Sequence, residues 1–308
     1  MEHGINGATK FANGPAGWLV LTGRLVLLLL LAINSLSALK ASGQTSLPEQ
    51  NAKAAAYRQQ GMRLCEDGRS REAIESFKEA IRLRPDYAEA FNDLGITYSD
   101  LGLYDAAIDA LRQAVALKPE LAQAYCNLGS VYYKMQRLTE AAEYLEHAIR
   151  IKPDYALAFH NLGAVYSEQG RAEEALKAYG RAVALRPDWA EAHFNLALAC
   201  YRAGRQAEVI EQLKRAIELK PDYLEARNSL GVMYYRLKRY TAARETFSQL
   251  VQLKPDYTDA VYNLGVLNLT LRKRTEAMEQ YSRLKTLDRH LAETLYSGLY
   301  RGMILSVK

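Results

Sequence analysis

Six prolines stand at positions 85, 119, 153, 187, 221 and 255, each 34 residues beyond the last. Five are followed by Asp and an aromatic residue: Pro85-Asp86-Tyr87, Pro153-Asp154-Tyr155, Pro187-Asp188-Trp189, Pro221-Asp222-Tyr223 and Pro255-Asp256-Tyr257. A strict period of this length requires stacked supersecondary units. One such unit cannot bury its apolar face alone, so its neighbours must cover it.

Each period resolves into two helices. The first is expected to start at the Asp, whose carboxylate can cap free N–H groups. Glu89, Glu191 and Glu225 follow three residues later at capping-box spacing. Apolar residues then recur on one helical face: Phe91, Leu94, Gly95 and Tyr98, and again Phe159, Leu162, Gly163 and Tyr166. The glycine in that face admits a closely packed partner helix. Gly68, Gly102, Gly170 and Gly204 end the first helix as left-handed caps would. The second helix repeats a small–large–small seam, as in Ala107, Leu111 and Ala114, Ala141, Leu145 and Ala148, and Ala175, Tyr179 and Ala182. Proline ends it, because the residue before Pro disfavours helix.

These residues resemble the tetratricopeptide (TPR) signature: a large aromatic, Leu-Gly, Tyr, Ala, an aromatic or Leu, Ala, and Pro at matching offsets. Tyr57, Phe91, Tyr125 and Phe159 carry the first aromatic, and Gly61, Gly95, Gly129, Gly163, Gly231 and Gly265 the glycine. The segments beginning Ala124-Tyr125-Cys126 and Ala158-Phe159-His160 look like repeats of the O-GlcNAc transferase superhelix, without that enzyme's catalytic region. The resemblance implies an all-α, right-handed superhelical solenoid of seven helix–turn–helix repeats over 54–291. The repeats are 54–87, 88–121, 122–155, 156–189, 190–223, 224–257 and 258–291.

Departures from the pattern gather late in the array. Repeat five has His193, Ala197 and Cys200 in place of aromatic, Gly and Tyr, and repeat six has Arg227 at the aromatic place. Repeat seven has Val261 and Asn268 at the aromatic and Tyr places and loses its Pro, reading Leu287-Asp288-Arg289-His290. Residues 292–308 are expected to form a C-terminal capping helix through Leu295, Tyr296, Leu299, Tyr300, Met303 and Ile304. Its alternative role is a homodimer contact.

The N-terminal 43 residues differ in kind. Leu25 to Ile33 is an apolar run preceded by Arg24 and followed by Asn34 and Ser35. It reads as a secretory signal or, through residues 17–39, as a membrane anchor. Either places the repeats outside the cytoplasm, periplasmic or extracellular, because the flanking positive charge stays inside. Residues 44–53 are polar and read as a linker. A formal net charge of +5, spread over 308 residues, gives no electrostatic case for nucleic acid. Cys65, Cys126 and Cys200 lack the spacing of a disulfide framework or a metal site, and no cofactor is expected.

Every period is used up by packing, and no Gly-rich phosphate loop or nucleophile–base pair remains. A binding scaffold is therefore expected and an enzyme is not. The resemblance places first helices along a concave groove, with the residue before Leu-Gly facing it. That residue is Asn127, Asn161, Asn195 and Asn263, with Asp93 and Ser229 departing. An amide both donates and accepts, so it can pair with a peptide backbone, and the transferase-like arrays use such a ladder. Four such sites at about 0.5–1.5 kcal/mol each give roughly millimolar binding, so side-chain pockets are needed as well. Tyr133, Lys134, His160, Tyr201, Arg202, Tyr235 and Arg236 are further groove candidates. Early Glu66 and Asp100 against late Arg202 and Arg236 suggest a segment whose basic part lies toward the first repeats. The expected partners are peptide segments of other proteins, in assembly of envelope complexes. The alternatives are a self-associating structural protein and a cytoplasmic adaptor.

Overall fold

The computed structural model describes residues 46–301, the side chains of 299–301 excepted, as fifteen helices. The signal or anchor reading of residues 1–43 lies outside the described residues. Among those residues, no helix is long and apolar enough to cross a membrane. The chain divides between Thr97 and Tyr98 into two compact units.

In the first unit, α1 (Leu47–Glu66) pairs with α2 (Ser70–Leu83), and α3 (Ala88–Asp100) begins. Gly61 explains the closeness of that pair: a Cβ there would lie 2.6 Å from the ring of Phe77, which is 1% exposed. Ala54, Ala80, Tyr87 and Ala90 complete a small core. Helix α1 starts at Leu47, inside the expected linker, so residues 47–53 are not a linker. Pro48 suits a helix start, and Lys53 pairs with Glu49 one turn away at 3.0 Å. Leu47 and residues 51–53 are exposed. The absence of an apolar stripe there reports lack of burial, not lack of helix.

The second unit continues through α4 (Tyr104–Leu117), α5 (Ala122–Lys134), α6 (Leu138–Ile151), α7 (Ala156–Glu168), α8 (Ala172–Leu185), α9 (Ala190–Arg202) and α10 (Gln206–Leu219). It ends with α11 (Leu224–Arg236), α12 (Tyr240–Leu253), α13 (Thr258–Thr270), α14 (Arg274–Leu287) and α15 (Arg289–Arg301). Odd helices pack on the following even helix, and each even helix packs on the next odd one. Neighbouring odd helices also touch, α9 and α11 through the Arg236–Tyr201 hydrogen bond, so α5, α7, α9, α11 and α13 line one face. Leu111, Leu145 and the alanines around them are fully buried. A Cβ on Gly129 would stand 2.5 Å from Leu145 Cγ, and one on Gly231 2.5 Å from the Phe247 ring. Burying each such large side chain contributes about 1.5–3 kcal/mol.

First helices end as expected. The N–H of Arg137 bonds Tyr132 O at 2.9 Å and that of Gln136 bonds Tyr133 O at 2.9 Å, the two bonds of a Schellman motif. The left-handed residue is Gly68, Gly102, Gly170 or Gly204 with φ of 73–76°, but Gln136, Lys238 and Arg272 occupy the same place at 57–61°.

Helix starts differ from expectation. The residue at the cap is the aromatic after Asp (Tyr155, Trp189, Tyr223 and Tyr257), and none makes a side-chain cap bond. Asp154 is exposed; its carbonyl, not its carboxylate, accepts Ala156 N–H at 3.1 Å. The turn is set by the aromatic ring: Tyr155 is half-buried with Lys152 Nζ 5.3 Å from its centroid, and its N–H closes onto Lys152 O at 3.1 Å. Glu191 forms no capping box. Its carboxyl is held below the usual carboxylate range first by its own backbone N–H, then by Lys220 at 3.4 Å.

The last helix starts at Arg289, three residues before the expected 292. With the Pro-Asp-aromatic turn gone, Asp288 Oδ1 caps Leu291 N–H at 3.0 Å. Leu295, 2% exposed, sits over Gly265, where a Cβ would lie 2.6 Å from it. Tyr281, at the seam place that Tyr179 and Phe247 hold in earlier repeats, instead packs against Tyr296, with ring centroids 5.2 Å apart and the rings tilted by 35°.

Candidate functional site

Three of the sequence-selected side chains join into one directional chain of hydrogen bonds across α9, α7 and α5. Asn195 Nδ2 lies 2.8 Å from His160 Nε2, and His160 Nδ1 lies 3.4 Å from Asn161 Oδ1. Asn161 Nδ2 donates to Ser130 Oγ at 2.9 Å, and Ser130 donates to Cys126 O at 3.0 Å. One assignment gives every bond of this chain a donor and an acceptor: a neutral imidazole protonated at Nδ1 and accepting at Nε2. Burial favours that neutral form and lowers the His160 pKa below its ordinary 6.5. The ring is held between Trp189, 4.4 Å away, and the edge of Tyr179 at 5.4 Å.

The asparagines thus brace neighbouring repeats. Asn263 Nδ2 does the same to Asn228 Oδ1 at 3.1 Å, and in the first unit Arg58 Nε donates to Asp93 Oδ2 at 2.6 Å. Burial raises the Asp93 pKa, and Arg58 counters it. Asn127 occupies the same place on α5 and is half-buried. Bracing does not exhaust the amides. Among the described residues Asn195 Oδ1 accepts no bond, and its side chain lines a cavity.

That cavity, of about 230 Å³, also touches Tyr133, Ser167, Glu168, Tyr179, Leu198 and Arg202. Leu198 is shared with a second cavity of about 330 Å³ between α9 and α11, walled by Val209, Leu213, Val232 and Met233, with Tyr201 and Arg236 at its edge. The second lies within the ~300–1,000 Å³ of small-ligand sites. Burial raises the pKa of Tyr133, and that of Tyr179 to about 12, so both phenols stay protonated donors at neutral pH. Arg202 Nη1 donates to Ser167 O at 3.0 Å, on the carbonyl end of α7, and Arg236 Nη1 to Tyr201 Oη.

The structure therefore gathers Asn195, Tyr133, Tyr201, Arg202 and Arg236 at two adjoining cavities, with His160 and Asn161 behind them. It does not gather the rest. Lys134 is tied to Ser99 Oγ at 2.9 Å and Asp100 Oδ1 at 3.6 Å, and Tyr235 leans on Tyr240 at 5.6 Å. Leu198 and Val232 were not selected from the sequence. Their signal was available: the place that holds Ser130 and Ala164 in repeats three and four holds Leu198 and Val232 in repeats five and six. Burial raises the thiols of Cys126 and Cys200 to about 11, so both stay protonated at neutral pH.

Comparison with known proteins agrees with this architecture. The family model described as the cilia and flagella-associated protein 70 C-terminal domain matches residues 36–228, and a tetratricopeptide-repeat model matches 210–258. No curated protein sequence matches. Among solved structures, "YrrB: a TPR protein with an unusual peptide-binding site" is 25% identical with a TM-score of 0.52, covering 61% of this chain and 97% of that one. A thermophilic TPR protein of Thermus thermophilus is 27% identical with a TM-score of 0.51, covering 59% and 99%. PilF of Pseudomonas aeruginosa, 22% identical with a TM-score of 0.58 over 68% and 96%, shares the fold. The period, the paired helices, the glycine-seated seam and the family match together make this chain a member of the tetratricopeptide-repeat family, the group of the cilia and flagella-associated protein 70 C-terminal domain.

Proposed function

We propose that the chain is a non-catalytic scaffold that holds an extended segment of a partner protein along the first-helix face of residues 98–301. The observation that carries this reading is the pair of adjoining cavities sharing Leu198, beside the open amide acceptor of Asn195. Neighbouring helices lie about 8–10 Å apart and an extended strand advances about 3.3 Å per residue. Successive first helices therefore meet about every third residue of a strand. The peptide-binding site named for YrrB supports the reading. The scaffold works outside the cytoplasm, released or tethered by residues 17–39, and serves assembly of envelope complexes. The Arg24-flanked apolar run supports export.

The relay complicates a simple alanine test, because removing Asn161 removes a brace as well. Ser130→Ala with His160→Phe separates the two, since it removes the Ser130 and His160 partners of both amides, leaves Asn161 only the long contact to Cys126 Sγ, and keeps the amides. Peptide capture should fall with Asn161→Ala plus Asn195→Ala and persist with Ser130→Ala plus His160→Phe, read by fluorescence anisotropy with a captured partner peptide. Equal loss in both makes the ladder purely structural. Fractionation with N-terminal sequencing tests export: repeats found only with cytoplasmic markers, with residues 1–43 intact, overturn it.

A further inference from the structure

Within the second unit the ladder is interrupted at one step, Ser229, and the larger of the two cavities opens there. Asn161 has Ser130 and Cys126 to bond, Asn195 has His160, and Asn263 has Asn228, each 31 or 35 residues earlier. The residues at those distances before Ser229 are Leu198 and Phe194, which offer no polar atom on their side chains. A ladder asparagine at 229 would have no such partner in the preceding repeat. The shorter serine leaves an apolar hollow between α9 and α11 instead, floored by Leu213 and Met233 and walled by Leu198 and Val232. Leu198 is 39% exposed, an apolar surface open to a partner.

Two of the three charged residues that line the two adjoining cavities are arginines. Arg202 and Arg236, one repeat apart, make hydrogen bonds only to a backbone carbonyl and a phenol, and neither pairs with a carboxylate among the described residues. Most other arginines of the second unit that form ion pairs do so within one helical turn, as Arg137 does with Glu140 and Arg215 with Glu218. Among the described residues, Glu168 is the one acid lining either cavity. A bound carboxylate would gain charge-assisted bonds from the remaining N–H groups of two guanidiniums that pair with no acid among the described residues.

Resting on the scaffold reading above, we propose that the α9–α11 step recognises an extended segment of a partner protein in which a large apolar side chain stands within about three residues of an Asp or Glu. The apolar side chain fills the hollow beside Ser229, and the carboxylate meets Arg202 or Arg236. Specificity therefore resides in repeats five and six, where the array departs from its own pattern, while the regular repeats supply backbone contacts.

A random decapeptide display library panned against the full chain tests this. Selected peptides should pair Leu, Phe, Met or Trp with a nearby acid. Ser229→Asn, which puts an amide into the hollow, should weaken the selected peptides by about tenfold or more, as loss of a central anchor does. Leu198→Ser does the same should Ser229→Asn lose helicity by circular dichroism. Arg202→Glu with Arg236→Glu should turn the preference from acids to Lys and Arg. Peptides without the apolar–acid pair, or peptides indifferent to these changes yet lost in Asn161→Ala plus Asn195→Ala, overturn the inference and leave the scaffold reading standing. No enrichment at all overturns both. A concentration-dependent dimer that Ser229→Asn dissociates makes a second copy of the chain the occupant, and overturns the proposal as well.

Discussion

Three residues in this array adopt a conformation that their neighbours assign to glycine. Gln136, Lys238 and Arg272 hold φ of 57–61° at the place where other repeats carry Gly at 73–76°. A left-handed non-glycine residue costs about 1–2 kcal/mol, and the greater chain entropy of glycine offsets part of any relief. Each of Gln136→Gly, Lys238→Gly and Arg272→Gly should therefore raise stability by several tenths to about 1 kcal/mol, read from urea midpoints. Gly170→Ala, where an added Cβ meets nothing, should lower it by about 1 kcal/mol through backbone strain alone. His160 sets a pH dependence. Burial lowers its folded pKa below 6.5, so the unfolded chain binds the proton more tightly. Its contribution is fully present above pH ~6.5 and is lost as pH falls from there through the folded value. Acidification in that window should lower the urea midpoint more in the native chain than in His160→Phe. An equal slope in both removes His160 as the cause.

Among the elements, α15 supplies to repeat seven, from a new helix, the side chain that earlier repeats supply from their own second helix. Gly129, Gly163 and Gly231 are covered by Leu145, Tyr179 and Phe247 of the same repeat, whereas Gly265 is covered by Leu295. Among the described residues three buried side-chain polar atoms lack a hydrogen-bond partner, Arg227 Nε in repeat six and Asn268 Oδ1 and Gln280 Oε1 in repeat seven. Leu295→Ala should cost about 2–4 kcal/mol locally through the void above Gly265. Hydrogen exchange should report it as faster opening of α13 and α14 with α5 to α8 unchanged. Uniform acceleration would mean that the array unfolds as one block. At this scale the helices, their seams and their glycine stops were legible in the sequence. The starts were not: an Asp before an aromatic looks like a cap, but the half-buried ring takes the cap position and turns the carboxylate outward.

At the scale of the molecule, each repeat in the second unit contacts the next through a recurrent register of 35 residues. Lys134 reaches Ser99, Asn195 reaches His160, Arg202 reaches Ser167, Arg236 reaches Tyr201 and Asn263 reaches Asn228. The sequence period is 34, and stacking offsets the contact by one residue. In a linear array the stability is approximately a sum of repeat terms and nearest-neighbour terms. Asn161→Ala should therefore remove about 0.5–1.5 kcal/mol of coupling between α5 and α7 and broaden the urea transition. A transition merely shifted, with the slope kept, would place the loss inside one repeat.

The sequence by itself determined the repeat, its two helices, the close seam and the face that first helices present. These are local and periodic, and the 34-residue spacing repeats the same packing problem with the same answer. The asparagine ladder was visible as a column of residues, but its work was not. Whether an amide braces or stays open depends on which atoms lie 31 or 35 residues earlier in the chain, and only the packed helices decide which of them come within reach. The hollow beside Ser229 was likewise settled by tertiary structure. Leu198, Ser229 and Val232 show in the sequence only as departures at single repeat places, and the cavity exists because stacking brings them together over Leu213 and Met233.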